Sequence, residues 1–238
     1  MIIRQERCEK ISFLGISGKG DTHQKNGKPN QDAIGFNMFE DSFVIAVSDG
    51  LGSCNNAHIG AQTAVALCNK IFMEIEDGQL RFRPEDIVKR LSNLWDETFP
   101  KIVSKDYSTT LKSAFLKNNE IITVSIGDGL LFTCVNNSVN DLKNTEDAYV
   151  NETACLSHGI RPDAFKTACI EKAETVFLCI CTDGVSSVIS EGRELEFFNE
   201  LKKAESIHNL DSEIENMLIE MSKYNSDDKT IALVRYER

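Results

Sequence analysis

Three connections in this chain are too short to carry it across a parallel sheet. Glu40 to Ser42, Lys117 to Glu120 and Gly127 to Gly129 each join two apolar, β-branched runs, whereas a parallel crossover takes a dozen residues or more. The runs read as strands over 11–17, 32–39, 43–48, 108–116, 121–126, 130–135, 175–181 and 230–236, and they must pair mostly antiparallel. Helical spacing appears elsewhere. Ala64, Leu67, Cys68, Ile71 and Ile75 share one face, as do Ile87, Leu91, Leu94, Trp95 and Ile102, and a third helix over 210–223 turns Ile214, Met217, Leu218 and Met221 inward. Pro84, Glu85 and Asp86 suit the first turn of the second helix, where a missing N–H costs nothing and acids meet the positive end of the helix. The expected fold class is α+β, antiparallel sheets with helices packed outside. With 41% hydrophobic and 26% charged residues over 238 positions, and neither repeat nor linker, the chain reads as one domain over 1–238. The polar stretch 136–172 reads as irregular loop near the site.

Charge and cysteine usage narrow the function. A formal net charge of −11 disfavours nucleic acid, because a phosphate backbone requires a basic face. No apolar run approaches the ~20 residues that span a bilayer, and the N-terminus lacks the apolar core of a signal peptide. A soluble, cytoplasmic protein is expected, with no membrane partner. The eight cysteines are scattered without a Cys-x-x-Cys pair, which argues for a reducing compartment and against thiolate zinc.

Three strand-like runs end in Asp-Gly, at Asp49-Gly50, Asp128-Gly129 and Asp183-Gly184, and Asp227-Asp228 directly precedes a fourth run. Carboxylates at strand ends are rigidly aimed, and gathering several is unfavourable unless a cation sits among them. Asp-Gly is also an ordinary turn signal. Asp77-Gly78 follows the polar end of a helix and should simply stop it. For Asp128-Gly129, flanked closely by two strands, a hairpin turn and a metal role are both open.

Six ordered motifs carry a specific resemblance: Gly20, His23 and Lys28 to Asp32; Val47 to Ser53; Ser108 to Leu111; Ile126 to Gly129; Thr182 to Val185; and Asp227 to Thr230. Together they resemble the type 2C metal-dependent protein phosphatases in their compact bacterial form. That resemblance implies a β-sandwich of two mostly antiparallel sheets flanked by helices, with two Mg²⁺ or Mn²⁺ ions at one end. It implies Asp49 as a bridging carboxylate essential to catalysis, with the Gly50 carbonyl, Asp183 and Asp227 as further ligands and Asp32 acting directly or through metal-bound water. Asp128 and Asp228 are additional candidates, Asp228 because the register of the last motif could shift by one. It also implies direct attack of a metal-bound hydroxide on a phosphoserine or phosphothreonine ester, with phosphorylated proteins and a cognate Ser/Thr kinase as partners. Oxygen ligands suit such hard ions, which neutralise phosphoryl oxygens and acidify bound water.

The sequence departs from the family pattern in several places. Gly27 stands where many members carry a phosphate-gripping Arg, leaving Lys28 either as a looser substitute or as a surface residue. His23 could protonate the leaving group or simply pack a turn. Gln31 replaces a common Glu, and Ser187 stands where a third-metal acid is often found. These departures motivate the alternative of a pseudophosphatase that binds phosphoprotein without turnover. A flap within 136–172 is a further expectation from the family.

Overall fold

The structure is a computed structural model that describes residues 1–141, 154–204 and 206–238. Two antiparallel sheets pack face to face. The first has strand order β1 (Ile2–Arg7), β2 (Ile11–Gly18), β11 (Lys229–Glu237), β10 (Thr175–Cys181), β7 (Leu130–Val135) and β8 (Ser138–Asp141). The second runs β3 (Asp32–Met38), β4 (Phe43–Asp49), β5 (Leu111–Lys117), β6 (Glu120–Ile126) and β9 (Lys166–Ile170). Helices α2 (Ala57–Glu76) and α3 (Pro84–Thr98) cover the five-stranded sheet, while α5 (Glu194–Lys202) and α6 (Asp211–Met221) cover the six-stranded one. Two short helices, α1 (Asp21–Lys25) and α4 (Asp183–Ser186), lie at the acidic end.

Strand alternation builds the layers. Along β5, Leu111 and Phe115 point to the helix-side core while Ala114 and Leu116 point between the sheets. Trp95 and Phe72, almost wholly buried, anchor the α2–α3 layer, and Phe132 stacks on Phe198 at 5.1 Å in the opposite one. Each such side chain contributes roughly 1.5–3 kcal/mol by leaving water.

The β3–β4 and β5–β6 hairpins form as expected, the latter turning through Asn118 and Asn119 at φ 53° and 59°. These left-handed positions favour Asn over other non-glycine residues. The turn at Gly127–Gly129 does not make a hairpin. Strand β6 pairs with β5 and β9, whereas β7 pairs with β10 and β8, so these residues carry the chain from one sheet to the other. Gly127 and Gly129 both have positive φ, and a Cβ on either would overlap Thr110 or the Cys181 carbonyl. Glycine is what permits so abrupt an exit from the sheet plane.

Ile102 is also corrected. Helix α3 ends at Thr98, before Pro100, and Ile102 is 93% exposed. Phe99 packs into the helix-side core instead, edge-on to Trp95 and stacked on Tyr107. Asp77-Gly78 stops α2 as expected, with the Gly78 N–H on Ile75 O at 3.1 Å. The stretch 136–172 contains β8 and β9 in addition to loop; of the flap expected within it, residues 142–153 lie outside the described residues. Among the described residues no helix is long and apolar enough to cross a membrane.

Candidate metal centre

The acids converge from both sheets on one end of the sandwich. Asp32 opens β3 and faces Asp49, which closes β4, directly across the antiparallel ladder. Asp183 lies just past β10 and Asp227 just before β11, strands that pair Cys181 with Ile231. Register therefore places four carboxylates at the same edge. Carboxylate oxygens of Asp49, Asp128 and Asp183 come within 4.8 Å of one another, as do ligand atoms of His23, Asp227 and Asp228. None of these groups contains a cysteine.

Close backbone contacts hold the segments together. A Cβ on Gly184 would overlap the Asp228 carbonyl, one on Gly20 the Asp227 carbonyl, and one on Gly50 the Ala57 carbonyl. These three positions thus accept only glycine for reasons of space. The Ser-Thr-Thr-Leu motif acts as a clamp: Thr110 N–H and Thr109 Oγ1 both donate to Asp49 O, at 2.8 and 2.7 Å, and Thr110 Oγ1 accepts from Asp49 N–H at 3.1 Å. That clamp fixes the Asp49 peptide without using its carboxylate. Thr182 Oγ1 donates to Asp32 Oδ2 at 2.9 Å and accepts from Thr230 N–H at 3.0 Å, tying the two sheets through one hydroxyl.

Asp228 sits differently from its neighbour. Its buried carboxylate accepts from Gly20 N–H at 2.7 Å and Gln31 N–H at 2.6 Å, and pairs with His23 Nδ1 at 2.8 Å. These bonds fasten the loop between α1 and β3 to the start of β11, while the Asp227 side chain is exposed at the rim. The buried Lys229 ammonium donates to Asn225 O and Asp227 O at 2.6 and 2.8 Å and shapes the loop that carries Asp227.

A cavity of about 720 Å³ opens over the cluster, lined among others by His23, Gln31, Asp49, Asp128, Asp183 and Asp227. Gly50 and Cys155 also line it. Lys28 does not. It is exposed on the loop after α1, and its N–H donates to His23 O at 2.9 Å. Ser187 is likewise exposed, its hydroxyl accepting from Asn225 Nδ2 at 2.7 Å. The parts that sequence reasoning left without a role were the two clamping threonines, Thr182 and the buried lysines. Only the motif positions of the threonines and of Lys229 hinted at them.

The electrostatics are those of crowded acids. Burial, then the nearby Asp32 and Asp183 carboxylates, push the Asp49 carboxyl up to about 11. Burial chiefly raises Asp32 to about 7, with Asp228 adding to it, and burial also raises Asp183. Asp32 Oδ1 and Asp183 Oδ1 are buried with no amide, hydroxyl or ammonium partner. Such oxygens are costly unless a cation or proton reaches them.

Fold and site together define a chain of the protein phosphatase class. It belongs to the protein phosphatase 2C family, whose sequence profile matches residues 19–226. A Mycoplasma genitalium protein named "Putative protein phosphatase" is 26% identical over an alignment of 265 positions that covers 95% of each chain. In structure the chain resembles RsbX, solved in complex with magnesium (18% identity, TM-score 0.69, covering 99% of this chain and 100% of RsbX). It also resembles the catalytic domain of the serine/threonine phosphatase PstP, solved with two manganese ions (15% identity, TM-score 0.61, covering 96% and 99%).

Proposed function

We propose that this chain is a divalent-ion-dependent phosphatase that hydrolyses phosphoserine and phosphothreonine esters in proteins, the esters being made by a Ser/Thr kinase. The observation that carries it is the pair of buried, partnerless oxygens on Asp32 and Asp183 beside an Asp49 carboxyl held at about 11. Such a donor set, all oxygen and short of positive charge, fits Mg²⁺ or Mn²⁺. Asp32, Asp49, the Gly50 carbonyl, Asp183 and Asp227 would hold two ions, with Asp128 at the edge of the cluster as a further donor. When bound, the ions would supply positive charge to the phosphoryl oxygens and lower the pKa of water.

The chain's own residues do the rest. The Thr109–Thr110 clamp keeps Asp49 in place, Thr182 orients Asp32, and Asp228 aims the His23 ring along the cavity wall. His23 is thereby suited to hand a proton to the leaving alkoxide. Water is the phosphoryl acceptor, and no covalent phospho-enzyme is involved.

One observation favours a second reading, a phosphoprotein-binding module without turnover. The cavity lining holds Gln31 where the family pattern commonly has a Glu, and Ser187, at the position of a third-metal acid, is exposed with its hydroxyl bonded to Asn225, so the set of acids is reduced. Hydrolysis of an aryl phosphate and of a phosphothreonine peptide decides between the two. Turnover that requires Mn²⁺, stops with chelator and is lost in Asp49→Asn supports the enzyme; binding of the phosphopeptide with no turnover at any Mn²⁺ concentration supports the module.

A further inference from the structure

Strand β5 carries a lysine where its neighbours are apolar. Lys112 shares the strand face of Ala114 and Leu116, which point into the layer between the sheets, and the residue is only 3% exposed. It stands opposite Val47 on one side and Ser125 on the other. The ammonium donates to Gly127 O at 2.6 Å, so it ties down the turn that crosses between the sheets and bears Asp128. Ser125, its neighbour across the ladder, keeps a buried hydroxyl with no hydrogen-bond partner. Among charged groups Asp128 acts on Lys112 most strongly, and burial lowers the amine to about 8.

A buried ammonium is costly and persists only where something compensates it. Here the compensation is directional: one carbonyl of the Asp128 turn and the Asp128 charge itself. Asp128 is in turn within 4.8 Å of Asp49 and Asp183. We propose that Lys112 is an internal counter-cation of the acidic centre, which pins the Asp128 turn and weakens divalent-ion binding at the Asp49–Asp128–Asp183 cluster. It is a positioning residue, separated from the cavity by the turn it holds, and the inference rests on the metal-centre reading above. A fixed positive charge behind Asp128 opposes an arriving dication by Coulomb repulsion, poorly screened between the sheets. It also partly offsets the mutual repulsion of the acids when no ion is bound.

Calorimetric titration with Mn²⁺, in the absence of substrate, tests this on the full chain. Lys112→Met keeps the length and apolar stem but removes the charge; its weakest Mn²⁺ site should tighten about tenfold relative to the wild type. The gain should disappear when the same substitution is made in an Asp128→Asn background. Lys112→Gln provides the same test should the Met variant not fold. Unchanged or weaker Mn²⁺ affinity in the folded variants would overturn the inference and leave Lys112 as a tie for the turn alone. An equal gain in both backgrounds overturns it too, because the charge would then not act through Asp128. Wild-type protein that binds no Mn²⁺ sinks the metal-centre reading and this inference with it.

Discussion

The Thr182 hydroxyl donates to Asp32 Oδ2 at 2.9 Å while accepting from a backbone N–H of the neighbouring strand. One side chain thereby saturates itself and leaves the second Asp32 oxygen without a partner. Thr182→Val keeps the shape and removes both bonds. The expected loss is about 1–3 kcal/mol of stability, because a buried carboxylate oxygen and a buried N–H are then unsatisfied. Chemical denaturation in chelator measures it, and Thr182→Ser should recover most of the loss.

Asp49→Asn should separate stability from function. With no ion bound, Asp49 stays protonated up to about pH 11, so folding carries the cost of protonating it at neutral pH. Asn mimics the neutral acid and avoids that cost. In chelator the variant should be more stable than wild type by on the order of 1 kcal/mol or more, since one pKa unit is worth about 1.4 kcal/mol. The same variant should lose its Mn²⁺-induced rise in Tm and its hydrolysis; a lower Tm in chelator would contradict the crowded-acid account.

Dependence on pH follows with a definite sign. Asp32 at about 7 and Asp49 at about 11 lie above the ordinary carboxyl range, so the folded chain holds more protons than the unfolded one. Their contribution is fully present below about pH 4 and declines as pH rises, for Asp32 through about pH 7. Divalent ions displace these protons, so Mn²⁺ affinity should grow over the same interval. Melting curves taken from about pH 5 to pH 8, with chelator and with Mn²⁺, should show a widening gap. A gap that narrows with pH contradicts the assignment.

Lys28→Ala should leave the Michaelis constant for an aryl phosphate within about twofold of wild type, because Lys28 is exposed outside the cavity lining. A rise of tenfold or more with turnover unchanged would show that the lysine reaches the substrate after all.

Gly184→Ala should be among the most damaging single-methyl changes, because the added carbon overlaps the Asp228 carbonyl, a backbone atom that cannot rotate away. Overpacking of this kind costs about 1–3 kcal/mol, and here it also spreads Asp183 from Asp227. Gly78→Ala, at a helix stop with open space, tests the comparison: its penalty is confined to the positive φ and should leave Mn²⁺ binding unchanged.

Much of this architecture is legible in the sequence because period and turn chemistry are local. The α2 and α3 faces follow from apolar spacing, and the β5–β6 hairpin from a connection at Lys117 to Glu120 too short for a crossover. Strand β1 leaves no such trace: all six residues are exposed, so no alternation marks it. Choice of sheet is not local either. Gly127–Gly129 looks like any tight turn until β6 pairs with β9 and β7 with β10, strands that lie far along the sequence. In the site, Asp32, Asp49 and Asp183 could be nominated from strand ends and motif order. The placement of Asp228 inward and Asp227 at the rim could not, since adjacent identical residues differ only in what surrounds them.

The crossing at Gly127–Gly129 is one of several passages of the chain between the sheets, and it separates along the sequence the acids that the centre draws from each: Asp32 and Asp49 from one, Asp183 and Asp227 from the other. The centre therefore lies on a seam, and neither sheet carries more than two of its four acids. Ions held there would act as rivets across the joint, so that occupancy and closure of the sandwich become one event. Fragments divided at this crossing would regain ion binding only by reassembling, which makes the seam a natural place to split the chain into a complementation pair.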